Sequence, residues 1–400
     1  MDSAELSALL TPEGLRLLDA QPAIASTADV TRAVSRLRAD GHSPALVSAV
    51  VGQARLREKA KPKFGDFAAR MLFTRAGLEQ ATRLSVAARH AARFRDAGMR
   101  SVADLGCGIG GDAMGFAGLG LRVTAVDADE ITAAIAAYNL APFGADASVR
   151  AGRAEDHAPG AASALPVDAV WLDPARRTAG HSETTRLRAE DHTPPLDWAF
   201  ALAARVPTGI KLGPGFDRDT IPDGVEAQWV SADGSTIELV LWSGALARPG
   251  VRRAALMMRG DAAHELTAAA DAEDEPVRPL GAFVHEPDGA VIRARLIGDV
   301  ARALDAGMLA DGIAYLTSDA PLTSPFVSTF RVREELPSDV KALSRALRER
   351  GVGVLEIKKR GVDIDPARLR TSLKLRGDAS ATLIVTRIGS KRLTLLADRV

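Results

Sequence analysis

A glycine-rich turn follows a short apolar run near the end of the first quarter of the chain. The run 102–105 predicts a buried strand, and a predicted helix begins directly after Gly106, Gly108, Gly110 and Gly111. In βαβ folds, glycines at such a turn let the backbone approach a nucleotide where a Cβ atom would collide. The turn therefore predicts an α/β fold that holds a ligand at this point.

Short strands and helices alternate from residue 101 onward. The strand-like runs are 102–105, 122–126, 147–150, 169–172 and 208–212. Helix-like runs separate them, which predicts a parallel sheet covered on both faces. Two further strand-like runs, 226–231 and 236–242, flank a turn signal and predict a hairpin that ends the sheet with an antiparallel strand.

Two carboxylates narrow the choice of ligand. The glycine spacing satisfies the dinucleotide pattern G-x-G-x-x-G, but Asp104 before the turn would repel a pyrophosphate. The same carboxylate suits the ammonium of a methionine moiety, and Asp127 at the next strand end suits two ribose hydroxyls. We therefore favour S-adenosylmethionine over NAD, with a tight turn that binds nothing as the third reading.

These residues carry a family resemblance. Asp104-Leu105-Gly106-Cys107-Gly108-Ile109-Gly110 resembles the cofactor motif of class I S-adenosylmethionine-dependent methyltransferases, and Val126-Asp127-Ala128-Asp129 resembles their ribose-binding strand end. The resemblance covers about residues 64–245 and implies a Rossmann-like, seven-stranded sheet. It also implies that the cofactor contacts lie at Asp104, Gly106, Cys107, Gly108, Gly110, Asp112, Asp127 and Ala128.

The adenine and methionine contacts rest on less specific segments. The family usually has an acidic residue after the third strand for the adenine amino group, but Arg153 stands there, so Glu155 or Asp156 would replace it. A segment similar to 73–80 covers the methionine end in several RNA and DNA methyltransferases, which makes Thr74 and Gln80 candidates. The alternative is a helix N-terminus that packs on the sheet.

Asp173 and Pro174 follow the fourth predicted strand, at the sheet edge where α/β proteins bind ligands. The position resembles the D/N-P-P-Y motif of methyltransferases that act on amino nitrogens, although Ala175 and Arg176 depart from it. Asp-Pro-x-Arg is also similar to a motif of uracil-C5 RNA methyltransferases. Those enzymes need a nucleophilic cysteine, and Cys107 lies inside the cofactor turn, so we reject that mechanism.

Cations near this edge are candidates for contacts with a substrate phosphate. Arg176 and Arg177 directly follow the motif, and Lys211 lies at the end of the fifth strand. The two arginines are equally well explained as a surface pair, and Lys211 as the partner of a carboxylate. The seven histidines show no metal-binding spacing, so no metal is expected.

The C-terminal section is basic although the whole chain is neutral. Residues 326–400 hold 17 Lys and Arg against nine Asp and Glu, and Lys358, Lys359 and Arg360 are consecutive. The segments 356–363 and 373–377 resemble a THUMP-like domain found after bacterial methyltransferase domains, which implies an RNA substrate such as tRNA or rRNA. The alternative is a basic module that only packs.

The remaining sequence completes a four-part division. We predict a helical cap at 1–63, a methyltransferase domain at 64–247, an acidic linker and connecting α/β segment at 248–325, and the THUMP-like domain at 326–400. Residues 260–276 read as an exposed acidic loop, and the basic stretch 55–63 as a second RNA contact. A single cysteine excludes a disulfide framework. The chain shows neither a membrane-length apolar run nor a signal peptide, so a cytoplasmic protein is expected.

Together these features lead to one main hypothesis. It is methyl transfer from S-adenosylmethionine to a ring or exocyclic nitrogen of an RNA base, with the Asp173 carboxylate and the Pro174 carbonyl orienting that nitrogen. The alternatives are methylation of a small molecule or a protein, and a non-catalytic protein that binds the cofactor and serves as an RNA adaptor.

Overall fold

The computed structural model describes residues 1–161, 164–176 and 192–400. Arg177 lies outside the described residues, and for Arg176 only the backbone is described. The chain divides into two compact units, the first formed by Met1–Leu212 with Leu241–Ala247 and the second by Gly213–Val240 with Arg248–Val400. The four predicted domain ranges stay predictions.

The first unit begins with helices, as the spacing of its leucines indicates. They are α1 (Ser3–Leu9), α2 (Pro12–Asp19), α3 (Thr27–Ala39), α4 (Pro44–Phe64), α5 (Arg75–Gln80) and α6 (Leu84–Asp96), with a 3₁₀ helix at Gly65–Arg70. The helices α1, α2 and α3 all pack on α4. Ser43 caps α4, and Pro44 occupies its first turn, where no backbone donor is needed. Within the described residues, no helix is both long and apolar enough to cross a membrane.

A parallel sheet follows in the same unit. Its elements are β1 (Ser101–Leu105), α7 (Gly111–Gly118), β2 (Arg122–Asp127), α8 (Glu130–Leu140), β3 (Ala147–Ala151), α9 (Ala154–His157), β4 (Ala169–Leu172), β5 (Ala175–Arg176), β6 (His192–Thr193), α10 (Leu196–Ala203) and β7 (Thr208–Leu212). The large strands lie in the order β7-β4-β1-β2-β3, all parallel. Leu105 pairs with both Leu172 and Val126, so the residues that follow these three strands meet at one edge.

The second unit starts with β8 (Glu226–Ala232), β9 (Ser235–Trp242), β10 (Arg253–Arg259) and β11 (Ala262–Ala268), in the order β11-β10-β8-β9. Asp233 and Gly234 both have positive φ, as the predicted two-residue hairpin requires. From Leu241 onward, β9 belongs to the first unit. The prediction that the hairpin ends the sheet is wrong, because β10 pairs in parallel with β8, and β11 pairs antiparallel with β10.

The prediction of an exposed loop at 260–276 is also wrong for the residues of β11, which form a strand. This strand is largely exposed, so it carries no alternation of apolar residues that would reveal it. Its acidic Glu265 is a structural residue, since its carboxylate pairs at 2.6 Å with Arg248. The same guanidinium also pairs with the fully buried Glu226.

The rest of the second unit forms a seven-stranded sheet. Its elements are β12 (Phe283–Pro287), α11 (Gly289–Arg293), α12 (Ile297–Ala303), β13 (Gly307–Ala310), β14 (Ile313–Ser318), β15 (Val327–Glu335), α13 (Val340–Glu349), β16 (Val352–Lys359), α14 (Pro366–Leu373), β17 (Ala379–Ile388) and β18 (Lys391–Arg399). The strand order is β13-β14-β12-β15-β18-β17-β16. From β15 onward the order is β-α-β-α-β-β, and three strands of the segment predicted as a connection share this sheet.

Candidate active site

The turn after β1 is tightly built around its glycines. Gly106 has a φ of 94°, and a Cβ atom on it would lie 3.1 Å from the carbonyl oxygen of Asp173 after β4. Gly108 has a φ of 55°, and a Cβ atom there would meet open space. The backbone N–H groups of Gly106 and Cys107 both donate to the carbonyl oxygen of Val126. The strand end therefore fixes the turn on one side while the turn borders open space on the other.

Asp127 lies at the end of β2 and faces this turn. The backbone N–H of Gly108 donates to its Oδ2 at 2.9 Å, and that of Asp129 donates to its Oδ1 at the same distance. Burial raises the pKa of the Asp127 carboxyl above its ordinary value. The two amides hold the carboxylate in one orientation, and Ala128 beside it is exposed.

Asp104 is a buried carboxylate whose surroundings do not compensate its charge. It is 1% exposed, and neither oxygen has a hydrogen-bond partner among the described residues. Burial first, and then the neighbouring Asp112 and Asp173, raise its pKa well above the ordinary value. An unpaired buried carboxylate costs free energy of folding. Its surroundings therefore suit a cationic ligand group that pairs with it.

A second buried network lies beside Asp104. The Asp112 carboxylate accepts from the hydroxyl of Thr82 at 2.7 Å and lies 2.8 Å from Nδ1 of His90. Nζ of Lys211 donates to the same hydroxyl at 2.8 Å and lies 3.4 Å from Oδ2 of Asp112. Although burial raises the pKa of Asp112, the charge of Lys211 and the contacts with His90 and Thr82 lower it below its ordinary value.

Asp173 joins this network at the sheet edge. Nζ of Lys211 lies 2.6 Å from Oδ2 of Asp173, with the lysine side chain 11% exposed and the aspartate side chain 36% exposed. Of the two sequence interpretations of Lys211, the structure shows the ion pair with a carboxylate. Pro174 is buried beside Asp173. The arrangement holds one partly exposed carboxylate firmly at the edge next to the glycine turn.

Sequence reasoning missed Thr82 and His90. His90 lies on the buried face of α6 with Val86 and Phe94, four residues away on either side, and its ring centroid is 4.5 Å from that of Trp171. A polar residue on an otherwise apolar helical stripe is a signal that could have found His90. Thr82 lies between two helices, and no sequence pattern distinguishes it.

The other predicted cofactor residues lie at the margins of this site. The Thr74 hydroxyl caps α5 by accepting from the N–H of Gly77, and Gln80 at the end of α5 is exposed. A Cβ atom on Gly77 would lie 2.5 Å from Cγ2 of Ile109, so α5 packs closely on the cofactor turn. Both interpretations of this segment stay open, because α5 is capped by Thr74 and also packs against the cofactor turn.

The acidic pair after β3 lies in the short helix α9. Glu155 is partly buried and pairs with Arg153 at 2.9 Å, whereas Asp156 is exposed. Arg153 thus pairs with Glu155, one of the two residues expected to contact adenine because Arg153 replaces the usual acidic residue. No described contact separates the two as candidates for adenine.

Cys107 does not have the character of a nucleophile. Its side chain is buried, and burial followed by the charges of Asp104 and Asp127 raises its thiol pKa well above the ordinary value. A thiol with a raised pKa has little reactive thiolate at neutral pH. Among the described residues, no group of His, Cys, Asp and Glu side chains is placed to hold a metal ion.

The predicted basic patches are partly structural. Lys358 and Arg360 lie 2.8 Å and 3.8 Å from the carboxylate of Glu286 on β12, so only Lys359 of this triplet is exposed. A single carboxylate thus pairs with two cations of the triplet, and contact of the triplet with RNA stays a prediction. Exposed cations of this module include Arg370, Lys374 and Arg376, which lie on and after α14.

Two cations of the basic stretch 55–63 also have structural partners. Nε of Arg57 donates to the carbonyl of Met71 at 3.0 Å, and Lys63 donates to three carbonyls that include those of Leu78 and Ala81. Burial, and then Lys211, lower the pKa of Lys63. Both side chains therefore contribute to the packing of the helical segment, and contact of the stretch 55–63 with RNA stays a prediction.

Comparison with known proteins finds relatives that match most of the chain and a family that matches its C-terminal end. Two proteins from Mycobacterium tuberculosis strains, each described as an uncharacterised S-adenosylmethionine-dependent methyltransferase, are 34% identical over 372 residues, covering 90% of this chain and 97% of theirs. The crystal structure of an inferred methyltransferase from Porphyromonas gingivalis W83 matches with a TM-score of 0.68 at 19% identity, covering 94% of this chain and 99% of that chain. Residues 327–399 match a family described as THUMP domain-like, and residues 2–60 match a domain of unknown function.

Proposed function

The chain belongs to the S-adenosylmethionine-dependent methyltransferases, and we propose that it methylates a nitrogen of an RNA base. The cofactor is S-adenosylmethionine, and the reaction is methyl transfer. The observation that carries the nitrogen target is the Asp173 carboxylate, which Lys211 holds at the sheet edge beside the glycine turn. A carboxylate in that place accepts hydrogen bonds from an amine or ring N–H of a substrate.

The residues around the turn fit the cofactor. We assign the unpartnered oxygens of Asp104 to the methionine ammonium and the Asp127 carboxylate to the ribose hydroxyls. The ligand would lie on the open side of the turn, at Gly108. Glu155 and Asp156 remain the candidates for the adenine amino group. When bound, the cofactor supplies a methyl group carried on a positively charged sulfur. Asp112, whose oxygens contact Thr82 and His90, is better assigned to holding Lys211 than to the cofactor.

We assign the orientation of the substrate nitrogen to Asp173 and Pro174. A carboxylate has about four acceptor positions, so an ion pair with Lys211 is compatible with a further bond from a substrate N–H. The Pro174 carbonyl serves as the second acceptor, and Asp173 takes up the proton that the nitrogen releases. Fixing the nitrogen lone pair in line with the methyl group supplies most of the rate acceleration.

Lys211→Met is expected to lower kcat by about 10- to 100-fold, because Asp173 loses the cation that fixes it. Steady-state kinetics with the unmethylated substrate RNA will measure this. Since breaking a buried ion pair is also destabilising, the double variant Lys211→Met with Asp112→Asn serves as the control. It should regain thermal stability without regaining kcat, and a return of kcat would contradict the positioning role.

The RNA target rests on the C-terminal module. Residues 327–399 match the THUMP domain-like family, and domains of the THUMP type are associated with RNA-modifying enzymes. The exposed cations Arg370, Lys374 and Arg376 lie close together in sequence at and after the end of α14. Such cations bind phosphates irrespective of base sequence. The module would therefore hold the RNA while the sheet edge selects the nitrogen.

Lys374→Glu combined with Arg376→Glu is expected to weaken RNA binding and to flatten its dependence on salt. Each lost phosphate contact reduces the slope of log K against log salt by about 0.7 to 0.9. Fluorescence anisotropy between 50 and 200 mM salt will measure the slope, a range over which such contacts matter. Arg16→Glu with Arg38→Glu, two exposed cations of the helical segment, is the matched control. Equal effects of the two pairs would show that only net charge matters.

The decisive experiment identifies the methylated product. The purified protein is incubated with isotope-labelled S-adenosylmethionine and total RNA from a strain that lacks the gene, and the RNA is digested to nucleosides. We expect label in one N-methylated nucleoside. Label in protein alone would favour the protein alternative. Label in neither, with the cofactor still bound, would favour the adaptor or a small-molecule substrate.

A further inference from the structure

A cavity of about 670 Å³ lies within the first unit, away from the glycine turn. Residues of α2, α4, the 3₁₀ helix after α4 and the end of α8 form its wall. None of the residues assigned above to the cofactor or to catalysis lines it. Its volume is in the range of small-molecule sites, about 300 to 1,000 Å³.

The wall contains a buried arginine that lacks a full set of partners. The Arg57 side chain is 9% exposed, its Nε donates to the carbonyl of Met71, and its Nη1 lies 2.8 Å from Oδ1 of Asp19. Its Nη2 has no hydrogen-bond partner among the described residues. A guanidinium has five donors in a fork that matches an oxyanion, and leaving some of them buried and unpaired is costly.

The charges of the wall favour an anion. The wall contains the cations Arg57, Lys61 and Arg70 and the carboxylates Asp19 and Glu58, so one positive charge is in excess. Asp19 pairs with Arg57 and Glu58 pairs with Lys61, which leaves Arg70 as the excess cation of the wall. The Asp19 side chain is 63% exposed, so an incoming anion can displace it from Arg57 into water. Arg70 is exposed at the end of the 3₁₀ helix and adds a second guanidinium.

The uncharged part of the wall suits an organic body attached to that anion. Leu18, Pro22 and Ala54 provide apolar surface, and Tyr138 provides an aromatic ring. A bare inorganic ion would leave most of such a cavity unfilled. A phosphate group on a ring of nucleoside size would match both the cations and the apolar wall.

We propose that this cavity binds a phosphate-bearing ligand of about nucleotide size, with Arg57 and Arg70 as its phosphate ligands. The proposal stands apart from the assignment of the methylated nitrogen, because the cavity shares no residue with that site. The phosphate can come from a free nucleotide or from a nucleotide within an RNA chain, and both present the same group to the two arginines.

The test is calorimetric titration of the full-length protein saturated with S-adenosylhomocysteine, which keeps probes out of the cofactor site. Uridine 5′-monophosphate is expected to bind, and uridine to bind about tenfold more weakly or not at all, because it lacks the charged group. Competition by pentauridylate would assign the phosphate to an RNA chain, whereas its absence would assign it to a free nucleotide. Equal binding of the nucleotide and the nucleoside, or binding of neither, would overturn the proposal.

Two variants locate the binding. Arg70→Ala is expected to weaken uridine monophosphate binding by roughly fivefold or more, and Arg57→Lys, which keeps the charge but loses the fork, more strongly. Arg55→Ala, an exposed arginine on α4 outside the cavity wall, is the matched control and should leave affinity unchanged. If Arg57→Lys fails to fold, Arg70→Ala alone decides, since its unchanged affinity would exclude this cavity as the site.

Discussion

Replacing Asp173 with alanine is expected to lower kcat by about 10²- to 10³-fold, the size found for removing one group that positions a reacting centre. Cofactor affinity should change little, because the Asp173 side chain is assigned to the substrate nitrogen. The protein should also stay folded. After the substitution Lys211 still has the Thr82 hydroxyl at 2.8 Å and the Asp112 carboxylate at 3.4 Å.

Two measurements, applied to Asp173→Ala and to two further variants, test this prediction. Single-turnover rates with the labelled cofactor report the chemical step, and calorimetry reports cofactor binding separately. Asp173→Asn keeps an acceptor oxygen but loses the negative charge, so we expect it to retain part of the rate. Asp197→Asn, an exposed residue of α10, is the matched control. A single-turnover rate for Asp173→Ala equal to that of the control would remove Asp173 from the mechanism.

Asp104→Asn is expected to have two opposite effects. Cofactor affinity should fall by about 100-fold, because a charge-assisted contact in a buried site contributes about 2 to 3 kcal/mol. The free energy of unfolding of the cofactor-free protein should rise by about 1 kcal/mol, as it does when a strained functional group is removed. Calorimetry and chemical denaturation measure the two quantities, with the exposed Asp146→Asn as the control. Lower stability of the cofactor-free Asp104→Asn variant would contradict the argument.

Asp104 also determines the direction in which stability and cofactor affinity change with pH. Because the folded pKa of Asp104 is raised, the folded protein holds a proton that the unfolded chain releases once the pH exceeds the ordinary carboxyl value. The cofactor-free protein therefore loses stability as the pH rises from that value through the folded pKa. The ammonium of the cofactor favours the ionised carboxylate, so binding should release a proton and tighten over the same interval. Titrations in buffers of different ionisation enthalpy count that proton, and Asp104→Asn should abolish it.

The family, the fold and the cofactor could be predicted from sequence because the motif that indicates them is local. A strand, a glycine turn and a helix place Asp104 and Gly108 within five residues of one another, and the next strand end brings Asp127 to the same edge. The relatives confirm the family, the fold and the cofactor that this pattern predicts. Short-range geometry is what a linear sequence records best.

The network around Lys211 could not be predicted in this way. It joins Thr82, His90, Asp112 and Lys211 across 129 residues of sequence, and each is an ordinary polar residue by itself. The ion pairs of Lys358 and Arg360 could not be predicted for the same reason. Their partner Glu286 lies on a strand about 70 residues earlier, and nothing in the local sequence signals the pairing. A charged residue that looks exposed in the sequence can therefore be paired in the fold with a residue far away along the chain.

The path of strand β9 limits how this protein can be divided. Because β9 starts in one compact unit and ends in the other, residues of the second unit lie both before and after Leu241–Ala247. Neither unit is continuous in sequence, so no single cut yields two complete pieces. A chain ending at Ala247 would leave β8 without its parallel partner β10. The C-terminal module should accordingly be tested by point substitution, since a truncated enzyme would lose part of its own sheet.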